Sequence, residues 1–326
     1  MSDLVEIRED ADVSAAARLV REIGDRSRLS GPTTESLITV IAALATNQLR
    51  HASRGRILVR TDARDGVPGV EIEAVDAGPG IADPTASFAE ESRRSGARAG
   101  GLASVRRLSA EVDLDVRAGE GTRIVARMYD RPVPRRRTVT ILGRPLPGGR
   151  MSGDASAFWR GDAFVRVMLC DGLGHGAEAR QASELAIRTA NAIPDAAPEA
   201  VLAACDAALR PTRGAAVTMV HVDERGHLTG ASVGNIEAGV CQGGVVSRLP
   251  AQPGVVGSGR ARERLRPSRL PMPRGSIFVL ATDGSTYPLA ECRVADTAGV
   301  PPWVLAQRIL ERCARDTDDA MVVVVV

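Results

Sequence analysis

Seven residues, Arg131-Pro132-Val133-Pro134-Arg135-Arg136-Arg137, constrain the fold of this 326-residue chain more than any other stretch. Two prolines fix φ and offer no backbone donor, so neither a helix nor a central strand can run through them. The segments on either side are each long enough to bury a core of their own. The chain therefore divides into a first domain over residues 1–130, a linker with its following strand over 131–143, and a second domain over 144–326. The arginines read as a solvated linker, with a nucleic-acid contact as the less favoured alternative.

Hydrophobic spacing assigns the elements. In the first domain, residues 4–8 alternate as a short strand, and Ala16, Leu19, Val20 and Ile23 keep helical spacing. A second helix, starting near Thr33, carries Leu37, Ile41, Leu44 and Ala45 on one stripe. Strands at 57–61 and 70–75 are joined through Asp65-Gly66, a strong hairpin signal. A helix at 102–108 and strands at 112–117 and 123–128 complete a helix-and-antiparallel-sheet domain. The second domain shows strands at 138–142, 163–170, 216–222, 230–233, 276–281 and 321–326, and helices at 178–192, 197–209 and 303–314. Short strands with helices between them predict a two-sheet core with helices outside, so the whole chain is α+β.

Composition excludes several functions. Forty-two Lys and Arg balance 40 Asp and Glu, and aromatics are only 2% of residues, which removes polybasic surfaces and base-stacking platforms, hence nucleic acid. The five cysteines lie far apart with no CxxC pair, which predicts reduced, buried thiols instead of disulfides or zinc. The longest apolar run, 320–326, is far below the roughly 20 residues of a membrane span. With no leader-like N-terminus, a cytoplasmic protein without membrane contact is expected.

Carboxylates recur at strand edges of the second domain. Asp171-Gly172 closes one apolar strand, Asp283-Gly284 follows another, Asp318-Asp319 opens a third, and Gly153-Asp154 lies upstream. Hard dications want such oxygens on rigid backbone, although Asp-Gly is equally a favoured turn pair. The run Asp171-Gly172-Leu173-Gly174-His175-Gly176 resembles the DG(L/M)GHG motif of sporulation-phosphatase-like members of the PP2C fold. Ser152-Gly153-Asp154, Gly234-Asn235-Ile236, Ala281-Thr282-Asp283-Gly284 and Asp318-Asp319-Ala320 extend that resemblance. It implies a PP2C-like α-β-β-α sandwich and a serine/threonine phosphatase using Mn²⁺ or Mg²⁺, as two ions. By the resemblance Asp171 bridges both ions, the Gly172 carbonyl joins one, Asp283 and Asp319 complete the other's shell, and Asp154 acts through water. His175 either donates a hydrogen bond to phosphate or a bound water or is a turn residue, and Asn235 lies near the site without a chemical step. The implied substrate is a phosphorylated antagonist of an anti-sigma factor, with an anti-sigma or sigma factor as a further partner. The helix after Glu178 is implied as a control element that aligns the site when a partner docks.

In the first domain Asp76-Ala77-Gly78-Pro79-Gly80 leaves a strand, where a carboxylate can accept the amine of adenine. Asn47 upstream, Gly100-Gly101-Leu102 before a helix and Gly119-Glu120-Gly121-Thr122 between strands supply further elements, the helix start being suited to phosphate. Together they resemble the GHKL ATP-binding α/β sandwich, especially anti-sigma serine kinases. That resemblance implies ATP or ADP with Mg²⁺, held by Asn47, Asp76, Gly78, Gly80, Gly100, Gly101, Leu102 and Thr122. Two departures argue against kinase turnover: Ala43 replaces the glutamate base, and the lid reads Gly96-Ala97-Arg98-Ala99-Gly100-Gly101. A docking module without turnover, a non-catalytic scaffold and a bifunctional kinase-phosphatase are the competing readings.

Overall fold

In the computed structural model, residues 2–52, 54–89, 101–161, 163–259, 265–294 and 299–326 are described. The chain divides into two units, Met1–Thr138 and Val139–Val326.

In the first unit, β1 (Ser2–Ile7), β2 (Gly55–Arg64), β3 (Val67–Asp76), β4 (Glu111–Arg117) and β5 (Gly121–Tyr129) form an antiparallel sheet in the order β1-β2-β3-β5-β4. Asp65 and Gly66 both take positive φ, 48° and 76°, the conformation a two-residue hairpin between β2 and β3 requires. Helices α1 (Asp10–Arg26) and α2 (Gly31–His51) bury Ala16, Val20, Ile23, Leu37, Val40, Ile41 and Leu44. A short α3 (Pro84–Ser87) and α4 (Leu102–Leu108) follow. The pleat sorts the sheet's faces: Val70, Ile72 and Ala74 stand opposite Met128, Ala126 and Ile124 on the apolar side.

The other side carries charge. Arg127 is 2% exposed and pairs with Glu71 at 2.8 Å and Asp113 at 2.7 Å. These carboxylates hold the guanidinium protonated against the cost of burial. The linker joins this network and is not the solvated stretch its composition suggests. The backbone N–H of Arg136 donates to Glu111 at 2.6 Å, its guanidinium lies 3.6 Å from Asp62, and Arg137 is buried.

The second unit begins at β6 (Val139–Arg144), so the strand expected at the end of the linker belongs to it. Here β6, β11 (Glu237–Gln242), β12 (Val245–Arg248), β14 (Ile277–Ala281) and β15 (Ala320–Val325) lie in the order β6-β15-β14-β11-β12. The facing sheet is β13-β10-β9-β8-β7, from β7 (Asp154–Arg160), β8 (Phe164–Gly172), β9 (Ala215–Asp223), β10 (His227–Val233) and β13 (Ser268–Pro271). Between the sheets lies one core containing Val167, Leu169, Val220, Val240, Phe278, Leu280, Val323 and Val325. Outside, α5 (Ala177–Asn191) and α6 (Pro198–Ala208) cover β8 and β9 through Ala182, Ala186, Val201, Leu202 and Cys205. A short α7 (Glu291–Val294) precedes α8 (Pro302–Cys313), which packs on β6 and β15. The arrangement is an α-β-β-α sandwich. Among the described residues no helix is long and apolar enough to cross a membrane.

Candidate functional site

Strand order brings the aspartates of the second unit to one end of its sandwich. Asp154 opens β7 and stands directly opposite Asp171 near the end of β8. From the facing sheet, Asp283 follows β14, and Asp318 and Asp319 precede its antiparallel neighbour β15. Asp283-Gly284 does form a turn, closed by the Ser285 N–H donating to the Thr282 carbonyl at 3.0 Å, whereas Gly172 lies within β8, and both glycines are also close packing contacts. A Cβ on Gly172 would sit 2.1 Å from the carbonyl oxygen of Ala179 in α5, and one on Gly284 would sit 1.7 Å from that of Asp319. Only hydrogen fits at either place, so strand end, helix and neighbouring strand close together around the carboxylates.

Hydrogen bonds divide the five aspartates into two kinds. Asp319, 3% exposed, accepts the backbone N–H of Leu146 and of Gly153, both at 2.6 Å. Asp154, 2% exposed, accepts the Thr282 hydroxyl at 2.8 Å, and Thr282 in turn accepts the N–H of Met321 at 3.0 Å. These two hold the frame. Asp171 and Asp318 are only half-buried, as is Asp283, whose carboxylate accepts the side-chain amide of Asn235 at 2.5 Å. From α5, Arg180 donates to the Ser152 carbonyl at 3.3 Å and Ser183 donates to that of Gly153. The helix after the DGLGHG motif thus grips the segment that carries Asp154.

The charges are unbalanced. Burial first, then Asp283, Asp318 and Asp319, push Asp171 up to about 8. Burial and Asp171 hold Asp154 well above the usual carboxylate range, against the opposing Thr282 hydrogen bond. Asp318 is raised by burial, with Asp283 and Asp319 adding to it. Carboxylates forced together in this way call for a cation, and an all-oxygen donor set suits a hard one. Among the described residues no three acidic, His or Cys side chains already close into a cage. Asp154 and Asp319 spend carboxylate oxygens on inward bonds, while Asp171, Asp283 and Asp318 are the less buried members of the set.

Asp319, expected in an ion's shell, accepts one backbone N–H on each carboxylate oxygen, which leaves each oxygen a further lone pair. Its neighbour Asp318, quoted in the sequence motif without a role, is also close enough to act on Asp171 and Asp154. Thr282 also had no expected role; its signal is its place directly before Asp283-Gly284. His175 is exposed beside the site.

In the first unit, Asp76 ends β3 in register with Thr122 of β5. Burial raises its pKa, while the N–H groups of Gly78, at 2.9 Å, and Thr122, together with the charge of His51, oppose the shift. Gly121, at φ 126°, lets β5 approach, since a Cβ there would lie 2.1 Å from the Asp76 carbonyl oxygen. Asn47 lies one turn before His51 on α2, on the same helix face. Gly80, at φ 83°, continues the loop after Asp76. Gly101, at φ 138°, caps α4, and the Leu102 side chain is buried, so at that position only the backbone is available to a ligand. Gly100 and the preceding lid residues 96–99 lie outside the described residues. Ala43, one turn before Asn47, is 8% exposed.

Comparison with known proteins agrees with both halves. The family described as Stage II sporulation protein E (SpoIIE) matches residues 161–326, and the Histidine kinase-, DNA gyrase B-, and HSP90-like ATPase family matches residues 33–132. The serine/threonine-protein kinase RsbT of Bacillus subtilis (strain 168) is 34% identical over 122 residues, 37% of this chain and 92% of that protein. A structure from work on the bacterial stressosome as a modular system adapted to secondary messenger signalling is 27% identical, with TM-score 0.52. It covers 59% of this chain and 100% of that one. The PP2C phosphatase domain with a fragment of the regulatory domain of SpoIIE from Bacillus subtilis matches at TM-score 0.50 and 14% identity. It covers 97% of this chain and 94% of that one, a likeness of fold alone.

Proposed function

From a chain that belongs to the SpoIIE family through residues 161–326, and to the RsbT family through its N-terminal domain, we propose a metal-dependent protein serine/threonine phosphatase. One observation carries the proposal: half-buried Asp171 near the end of β8, and half-buried Asp283 and Asp318 beside β14 and β15 of the facing sheet, lie near enough that Asp283 and Asp318 both raise the pKa of Asp171, with Arg315 a partial counter-charge to Asp318.

In this reading Asp171, Asp283 and Asp318, joined by the Gly172 carbonyl, hold Mn²⁺ or Mg²⁺. Bound dications supply polarisation of the phosphoryl oxygens and a lowered pKa for the attacking water. Asp154, clamped by Thr282, orients solvent, and Asp319 ties the segments around Leu146 and Gly153 into one frame. Asn235 restrains Asp283. The substrate is a phosphorylated regulatory protein of the anti-sigma-antagonist type, with an anti-sigma or sigma factor as further partner, in the cytoplasm. The N-terminal domain binds ATP or ADP through Asp76, Asn47 and the Gly78–Gly80 loop, or docks the same regulator, raising its effective concentration at the phosphatase site. The buried methyl of Ala43 cannot accept a proton, which favours binding over phosphotransfer.

The test is hydrolysis of p-nitrophenyl phosphate and of a phosphoserine peptide with Mn²⁺. Asp171→Ala is expected to lower turnover about 1,000-fold with the fold retained, because charge stabilisation is lost with the ions. Unchanged turnover, or turnover indifferent to chelation, would remove the metal assignment.

A further inference from the structure

Tyr287 breaks two rules at once. It takes left-handed backbone angles, φ 53° and ψ 45°, which a bulky side chain rarely adopts. It is also 71% exposed, whereas the other seven of the chain's eight aromatic residues are buried or half-buried. Such a conformation persists only where the surroundings over-determine it. Here they do: Thr286 N–H donates to the Cys313 carbonyl at 2.8 Å, Arg315 N–H to the Gly284 carbonyl at 2.7 Å, and Ala290 N–H to the Tyr287 carbonyl at 2.9 Å. The Arg315 guanidinium bonds the Thr286 hydroxyl at 2.8 Å, and Pro288 and Leu289 are anchored in the interior. A rigid turn therefore projects an aromatic ring into solvent.

Its neighbours make the position informative. Among the described residues five large apolar side chains are exposed, and three lie next to the aspartates of the site in sequence. Met151, 45% exposed, precedes Asp154 by three residues; Leu173, 40% exposed, follows Asp171 by two; Tyr287 follows Asp283 by four. Four residues span at most about 14 Å, the length of about four residues of an extended peptide. A carboxylate site needs no apolar rim to hold ions or a phosphoryl group. A polypeptide lying across the site does use one, and a rigid Tyr provides much contact area at small entropic cost.

We propose that Tyr287 is a docking contact for the phosphoprotein substrate, gripping an apolar residue within about four positions of its phosphoserine or phosphothreonine, with Leu173 and Met151 the other exposed apolar side chains close in sequence to the site's aspartates. The proposal rests on the phosphatase reading above and adds to it a preference for apolar flanks.

The experiment uses the full chain with Mn²⁺ and three probes: p-nitrophenyl phosphate and two phosphoserine peptides of equal charge, one with leucines within four positions of the phosphoserine, the other with glycines there. Tyr287→Gly suits the positive φ and removes the ring without straining the turn; Tyr287→Phe keeps the ring. The ratio of kcat/KM for the leucine peptide to that for p-nitrophenyl phosphate is expected to fall about 30-fold in Tyr287→Gly, through KM, and to stay within about 3-fold in Tyr287→Phe. The glycine peptide is expected to be a poor substrate for all three proteins. An unchanged ratio overturns the proposal, as does a ratio that falls equally for both peptides. So does a change confined to self-association in sedimentation, which would make the rim a contact between copies of the chain. If no probe is turned over, the phosphatase reading fails by itself. Anisotropy of the labelled leucine peptide then decides docking: weaker binding to Tyr287→Gly supports it, and equal binding overturns it.

Discussion

Asp76 and Asp171 occupy equivalent places in their two domains, each at or beside the end of an inner strand with a glycine close behind, and burial raises the pKa of both. Their company differs. Around Asp76 are the N–H groups of Gly78 and Thr122 and the charge of His51, which favour its ionised form. Around Asp171 are Asp283, Asp318 and Asp319, which oppose it. A solitary carboxylate propped by amides is fitted to accept a hydrogen bond from a neutral ligand, while a crowd of carboxylates is fitted to a cation. Neighbours, more than the strand-end position, set the chemistry.

The sharpest way to break this comparison lies in the adjacent pair before β15. Asp318→Asn is expected to lower phosphatase turnover about 100-fold, in line with lost metal affinity, while thermal stability without metal holds or rises as like charges are relieved. Asp319→Asn replaces one acceptor with a donor facing a backbone N–H, and is expected to cost about 2 to 3 kcal/mol in urea unfolding. The reverse pattern would return Asp319 to the ion's shell and take Asp318 out of it.

A smaller effect is expected at the other domain. Asp76→Asn should weaken ATP binding about 30-fold by calorimetry, the equivalent of about 2 kcal/mol for a charged hydrogen bond. Labelled phosphate from ATP should not reach a protein acceptor while Ala43 is in place. Transfer by the unaltered protein would make the two domains an opposed kinase and phosphatase.

The smallest effect concerns pH. The folded-state pKa of Asp171, about 8, lies above its ordinary 3.8, so its contribution to stability is full below about pH 4 and is lost as pH rises through 8. The metal-free protein is therefore expected to melt several degrees lower at pH 8 than at pH 5, on the order of 5 °C. Mn²⁺ should remove the difference. Asp171→Asn should flatten it and abolish the response to Mn²⁺, whereas Asp76→Asn should leave that response intact.

Much of the architecture was legible because it is periodic. The stripe of α2, the Asp65-Gly66 hairpin and the Val-rich run of β15 each announce one element, since local spacing and turn chemistry suffice there. β7 was not legible: Asp154 to Arg160 holds no β-branched residue, and only pairing with β8 makes it a strand. Four-residue β12 and β13 carry too few residues to show a period. The aspartates at Asp154, Asp171 and Asp283 could be read from motif and position, but the docking of Arg136 on the first sheet could not, because its partners Glu111 and Asp62 are distant in sequence.

Residue types and local order by themselves determined that there are two domains, that the second carries carboxylates at strand ends, and that position 43 lacks a proton acceptor. Tertiary structure alone decided that Asp319 is buried against backbone N–H groups while adjacent Asp318 stays half-buried. Both residues lie just before β15, so the register of that strand fixes where each carboxylate arrives. The pairing of Ala320 with Arg144, the backbone N–H groups of Leu146 and Gly153, and the close approach of Gly284 set that register, and none is visible from the chain near Asp318.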